Sequence, residues 1–91
     1  MDDQEITTRI REVVAKITSI PIDRIGEDVD FRDDLGIDSL SMLEIGVDVD
    51  FEFGLHVEDL DQLLPKIRTL ADAVAVVREK LGTQNSTRQE T

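Results

Sequence analysis

Apolar residues recur at three- and four-residue intervals in several stretches of this chain. Helices satisfy that spacing and half-buried strands do not. The first stretch, from about Asp3 to Ser19, carries Ile6, Ile10, Val13, Val14 and Ile17 among Arg9, Arg11, Glu12 and Lys16. Pro21 ends it, because a proline pushes the residue before it out of the helical region. A second helix is expected over Ser39 to Phe53, with Asp38 as its N-cap and Gly54 closing it. A short third element covers Glu58 to Leu64 before Pro65. The fourth opens at Thr69-Leu70-Ala71-Asp72, a capping-box-like start, and lines up Leu70, Ala73, Val74, Val77 and Leu81. Arg78 and Lys80 sit in its last turn and Gly82 follows, as helix ends prefer. Between the first two helices, residues 20 to 37 form a long connection with Ile22, Ile25, Val29, Phe31, Leu35 and Ile37 as candidate anchors to the core. The expected fold is all-α, a small bundle of three main helices plus one short helix with a long first loop. One domain over residues 1 to 82 would be followed by a disordered polar tail, residues 83 to 91.

The chain is short enough, at 91 residues, to exclude an enzyme with a cleft between two lobes. Ten Lys+Arg stand against 21 Asp+Glu, a net charge of −11 and the wrong sign for gripping phosphates. The three aromatics are all Phe, too few for base-stacking platforms. Nucleic acid and anionic membranes are therefore poor partners. No apolar run approaches the length of a membrane span and the N-terminus is acidic, so the expectation is a soluble, cytoplasmic monomer. Asn85-Ser86-Thr87 matches a glycosylation sequon, which without secretion is a chance match. The absence of cysteine removes disulfides, thiolate metal sites and any protein thiol for holding a thioester. Between Asp28 and Asp61 lie twelve acids and one base, Arg32, a sum of −11; the rest of the chain has nine of each and sums to zero. All the net charge thus belongs to the middle third, where it either solvates the surface or steers a basic partner.

That middle third contains the second helix, which has two apolar stripes. At about 100° per residue, Met42, Ile45, Val49 and Phe53 fall on one side and Leu40, Leu43, Val47 and Phe51 on nearly the opposite one. A helix in a small bundle buries one stripe. The other is either covered by the long loop and third helix or left for a partner, with Leu40 and Val47 the candidates for the exposed part.

Just before this helix stands Asp34-Leu35-Gly36-Ile37-Asp38-Ser39-Leu40, followed by Ser41-Met42-Leu43-Glu44-Ile45. The run resembles the acyl carrier protein signature D-L-G-x-D-S-L, in an acidic chain of the right size with Phe31 upstream and Phe53-Gly54 closing the helix. The likeness spans about Ile6 to Leu81, and the stretch from Asp38 to Ile45 is most similar to carriers of actinobacterial fatty-acid and meromycolate synthesis. The resemblance implies that Ser39 accepts a 4′-phosphopantetheine arm from a phosphopantetheinyl transferase and that the chain is no enzyme. The arm's thiol would carry acyl chains in fatty-acid or polyketide synthesis. The resemblance also implies docking through Asp38, Leu40, Glu44, Val47 and Asp48 to basic patches on acyl-transferase, ketosynthase and reductase-type enzymes. Ile45, Val57, Leu60 and Leu63 would line an acyl-chain pocket between the second and third helices, or simply pack the core, and Gly46 would leave room for a chain or for close helix contact. Physical chemistry agrees at Ser39, since the free N–H groups and positive dipole end of a helix favour a phosphodiester.

The chain departs from the family at Val57-Glu58-Asp59-Leu60, where many carriers have an isoleucine-proline-acid run, and its Phe53-to-Thr69 interval is about two residues longer than in typical members. Two other functions fit the composition. Asp48, Asp50, Glu52 and Asp59 match an EF-hand count at positions 1, 3, 5 and 12, although Phe53 stands where glycine is required. An acidic helical adaptor without a prosthetic group is the other. His56, the lone histidine, has no partners of a catalytic triad in the sequence and reads as loop structure.

Overall fold

The computed structural model describes the backbone of residues 2–90 and the side chains of residues 2–82. The chain folds into helices α1 (Asp3–Thr18), α2 (Ser39–Phe53), α3 (Leu60–Leu63) and α4 (Leu70–Glu90), with 3₁₀ turns at Ile22–Arg24 and Leu64–Lys66. α1 packs against both α2 and α4. Among the described residues no strand forms beyond a single antiparallel bridge, Asp30 to Thr69, and no helix is long and apolar enough to cross a membrane.

α1 begins where the Asp2 carboxylate accepts the Glu5 N–H at 2.9 Å. It ends at Ser19, whose φ of 64° turns the chain left-handed while its N–H bonds Ala15 O at 2.8 Å. Ser19 therefore stops the helix, one residue earlier than Pro21 requires. The stripe Ile6, Ile10, Val13 and Val14 is buried. α4 begins with the capping box legible in the sequence: Thr69 Oγ1 accepts the Asp72 N–H, and the Asp72 carboxylate accepts those of Arg68 and Thr69. Leu70, Val74 and Val77 face the core.

The long connection is pinned, by fewer anchors than expected. Ile25, Phe31 and Ile37 are buried, Leu35 is half-buried, and Ile22 stands 47% exposed with Val29 only partly covered. Polar bonds supply the rest: Phe31 N–H to Arg68 O at 2.8 Å, Ala71 N–H to Glu27 O at 3.1 Å, and Arg11 Nε to Ile25 O at 2.8 Å. Arg68 reaches Asp30 at 2.8 Å and Asp33 at 3.1 Å, tying the loop to the start of α4. Backbone N–H groups, led by that of Asp33, and then Arg68 hold the Asp30 carboxyl below its ordinary range.

Two element boundaries differ from the sequence reading. The third element starts at Leu60, and Pro65 lies inside its 3₁₀ continuation, in an early position where a missing N–H costs nothing. α4 runs past Gly82, which does not adopt the positive φ of a glycine cap. The side chains of the expected tail, residues 83 to 91, and the sequon at Asn85 lie outside the described residues.

Candidate functional site

Ser39 is the first residue of α2 and is exposed. Asp38 precedes it in an extended conformation, and its carboxylate accepts the Ser41 N–H at 2.8 Å. That N–H first, and the Ser41 hydroxyl second, keep the Asp38 carboxyl below its ordinary range. The cap thus serves Ser41 and leaves the Ser39 hydroxyl without a partner among the described residues. The backbone before it is held by Gly36, whose φ of 68° suits a residue lacking Cβ, and by Ile37 N–H to Phe31 O at 2.9 Å. An exposed, unbonded hydroxyl at the positive end of a 15-residue helix fits a covalently attached phosphodiester.

α2 then presents two faces. Met42, Ile45 and Val49 are buried, whereas Leu40 is 68% and Val47 54% exposed. The long loop and α3 do not cover the second stripe. Phe51, which sequence reasoning placed on that stripe without choosing it, is 87% exposed. The acids along the helix are not equivalent. Asp48 pairs with Lys16 at 3.0 Å and Glu52 with Arg9 at 3.1 Å, while Glu44 is exposed and has no ion pair among the described residues.

Behind α2 lies a small apolar cavity of about 50 Å³, open to solvent at its mouth. Ile45, Val57, Leu60 and Leu63 all line it, together with Met42 and Val77. Gly46 is the point of closest approach: a Cβ there would stand 2.9 Å from Leu64 Cδ2 and 3.3 Å from Leu60 Cδ1. Its missing side chain lets the segment from α3 seat on α2.

Asp50 has a role that the sequence alone does not announce. It is among the residues around the cavity, and its carboxylate accepts the N–H groups of His56 at 2.6 Å and Val57 at 3.2 Å, fixing the turn in which His56 adopts φ 57°. An acid four residues before the closing glycine was the available signal. The EF-hand count fails here, because Asp48, Asp50 and Glu52 lie on a continuous helix and each carboxylate already has a partner. Among the described residues no group of three or more metal-ligand side chains converges.

The family described as "Phosphopantetheine attachment site" matches residues 8–74. The chain is 39% identical over 80 residues to an acyl carrier protein of Kineococcus radiotolerans, covering 88% of this chain and 96% of that one. It is 39% identical over 82 residues to the meromycolate extension acyl carrier protein of Mycobacterium tuberculosis (strain H37Rv), covering 90% and 69%. The solved acyl carrier protein of Enterococcus faecalis superposes with a TM-score of 0.70 at 25% identity, covering 88% of this chain and 99% of that one. With 67 of its 91 residues inside that family's limits and carriers as relatives over nearly all of it, the chain belongs to the acyl carrier protein family, whose members bear phosphopantetheine and are not themselves enzymes.

Proposed function

We propose that Ser39 is the attachment residue and that the cargo is an alkyl acyl chain of fatty-acid type. The observation that carries the first part is the exposed, unbonded hydroxyl opening α2, kept free because Asp38 caps Ser41 instead. When attached, the arm supplies the thiol that this cysteine-free chain lacks and holds the acyl group as a thioester. The polypeptide's own part is to fix the attachment point at a helix start, where N–H groups favour the phosphate, and to shield the cargo. Apart from Asp50, whose carboxylate is engaged by His56 and Val57, the residues around the cavity are apolar, with Ile45, Val57, Leu60 and Leu63 among them. Such a lining takes a hydrocarbon at little cost and penalises a polar oxo-chain, which favours fatty-acyl over polyketide service.

Asp38, Leu40, Glu44, Val47 and Asp48 form the docking end of α2 in this reading. Glu44 presents a charge unpaired among the described residues and Asp48 one shared with Lys16. Partners are a phosphopantetheinyl transferase and acyl-transferase, ketosynthase and reductase-type enzymes with basic patches, met by a monomer in the cytoplasm. The test is mass analysis after incubation with coenzyme A, magnesium and a phosphopantetheinyl transferase. Wild type gains one phosphopantetheine and Ser39→Ala gains none; an unchanged wild-type mass ends the assignment. Lengthening an alkyl cargo on the loaded protein should then raise its unfolding free energy by about 0.8 kcal/mol for each CH₂ that is fully buried. Equal stabilisation by 3-oxo chains would remove the preference for fatty-acyl cargo.

A further inference from the structure

The exposed stripe of α2 extends well beyond the attachment point. Leu40, Val47 and Phe51 lie within about 40° of one another around the axis, and the eleven steps from Leu40 to Phe51 span about 16 Å. The stripe ends in Phe51, the most exposed large apolar residue among the described residues at 87%. Exposed apolar stripes with polar borders mark interaction surfaces, and aromatic side chains are frequent anchors within them.

The charges beside the stripe say what covers it. At the Phe51 end, Glu52 is answered by Arg9 and Asp48 by Lys16, both from α1, so neither needs an external base. Near Ser39, Glu44 has no such answer within the described residues. We infer that Phe51 anchors α2 to an enzyme partner that offers the ring an apolar pocket and places basic side chains toward Glu44. The inference rests on the carrier reading and adds the far end of the helix to its docking surface. A second copy of this chain is the poorer occupant: each copy carries −11, concentrated in the segment that includes α2, so two such faces would set like charge against like. A basic-rimmed enzyme meets opposite charge instead. Roles then divide along α2, with Glu44 governing the rate of encounter and its salt dependence, and the ring governing how long the complex lasts.

The experiment uses protein loaded at Ser39 and verified by mass, as substrate for a purified malonyl-CoA-dependent acyl transferase that acts on carriers. Phe51→Ala should raise KM about tenfold, the loss typical of truncating an aromatic anchor, with kcat within about twofold. The increase should persist at about 1 M salt, where charges are screened within ~3 Å. Phe51→Leu should recover part of the affinity, and Glu44→Gln should raise KM at low ionic strength only. Because the ring contributes little packing, the melting curve of Phe51→Ala should overlay that of wild type. A KM within about twofold of wild type for Phe51→Ala would overturn the anchor. So would sedimentation showing a wild-type dimer that Phe51→Ala dissociates, which assigns the face to a second copy. Failure of Ser39 to load would instead strike the carrier reading, and it would do so whichever residue stands at position 51.

Discussion

The two faces of α2 are built from the same kinds of residue and have opposite fates. Met42, Ile45 and Val49 disappear into the core, while Leu40, Val47 and Phe51 face solvent along the same length of helix. Hydrophobicity alone therefore does not decide burial here. Geometry does: α1 and the segment after α2 occupy one side, and the acids Glu44, Asp48 and Glu52 border the other. One face is held by folding, and the other is available for contacts that must form and dissolve.

Truncations should expose that contrast most sharply. Met42→Ala removes a fully buried side chain and should cost about 2–5 kcal/mol in urea unfolding. Leu40→Ala should stay within about 0.5 kcal/mol of wild type. Comparable losses at both positions would mean that the outer face is packed in solution. The boundary between the faces offers a smaller effect at Gly46. Gly46→Val puts a branched side chain where Leu64 Cδ2 and Leu60 Cδ1 already sit, and overpacking of this kind costs about 1–3 kcal/mol. A variant as stable as wild type would mean that α3 yields freely.

Acid titration gives the smallest effect and separates the ends of the structure from its middle. Asp38 and Asp30 have carboxyls held below the ordinary value, by the Ser41 N–H and by backbone N–H groups with Arg68. A folded-state value below the unfolded one means stability that is present above the ordinary aspartate pKa of about 3.9 and lost as pH falls through the depressed values. Thermal midpoints should therefore fall on acidification below about pH 4, with a shallower fall in Asp38→Asn and Asp30→Asn. Identical acid profiles in wild type and both variants would remove these caps from the account.

Much of this was legible in the sequence because the signals were local. The stripe of α1, the Asp38 cap, the Thr69-to-Asp72 box and the closing Gly54 each act within a few residues, and the structure places them as read. The signature around Ser39 was local too. What escaped depends on distant partners. Nothing beside Asp48 and Glu52 in the sequence announces Lys16 and Arg9, and nothing beside Val29 or Ile22 says that Arg68, rather than more apolar burial, secures the loop. The third element begins two residues later than Glu58, because the backbone at Asp59 is not yet helical. The acceptor role of Asp50 is equally hidden, because it lies toward N–H groups six and seven positions ahead.

That carboxylate has a mechanical consequence. By gripping His56 and Val57 it welds the turn after α2 onto the helix. Any swelling of the interior to admit a longer guest can then be absorbed beyond that weld, without unwinding the last turn of the helix that presents Ser39 and Phe51 to the outside.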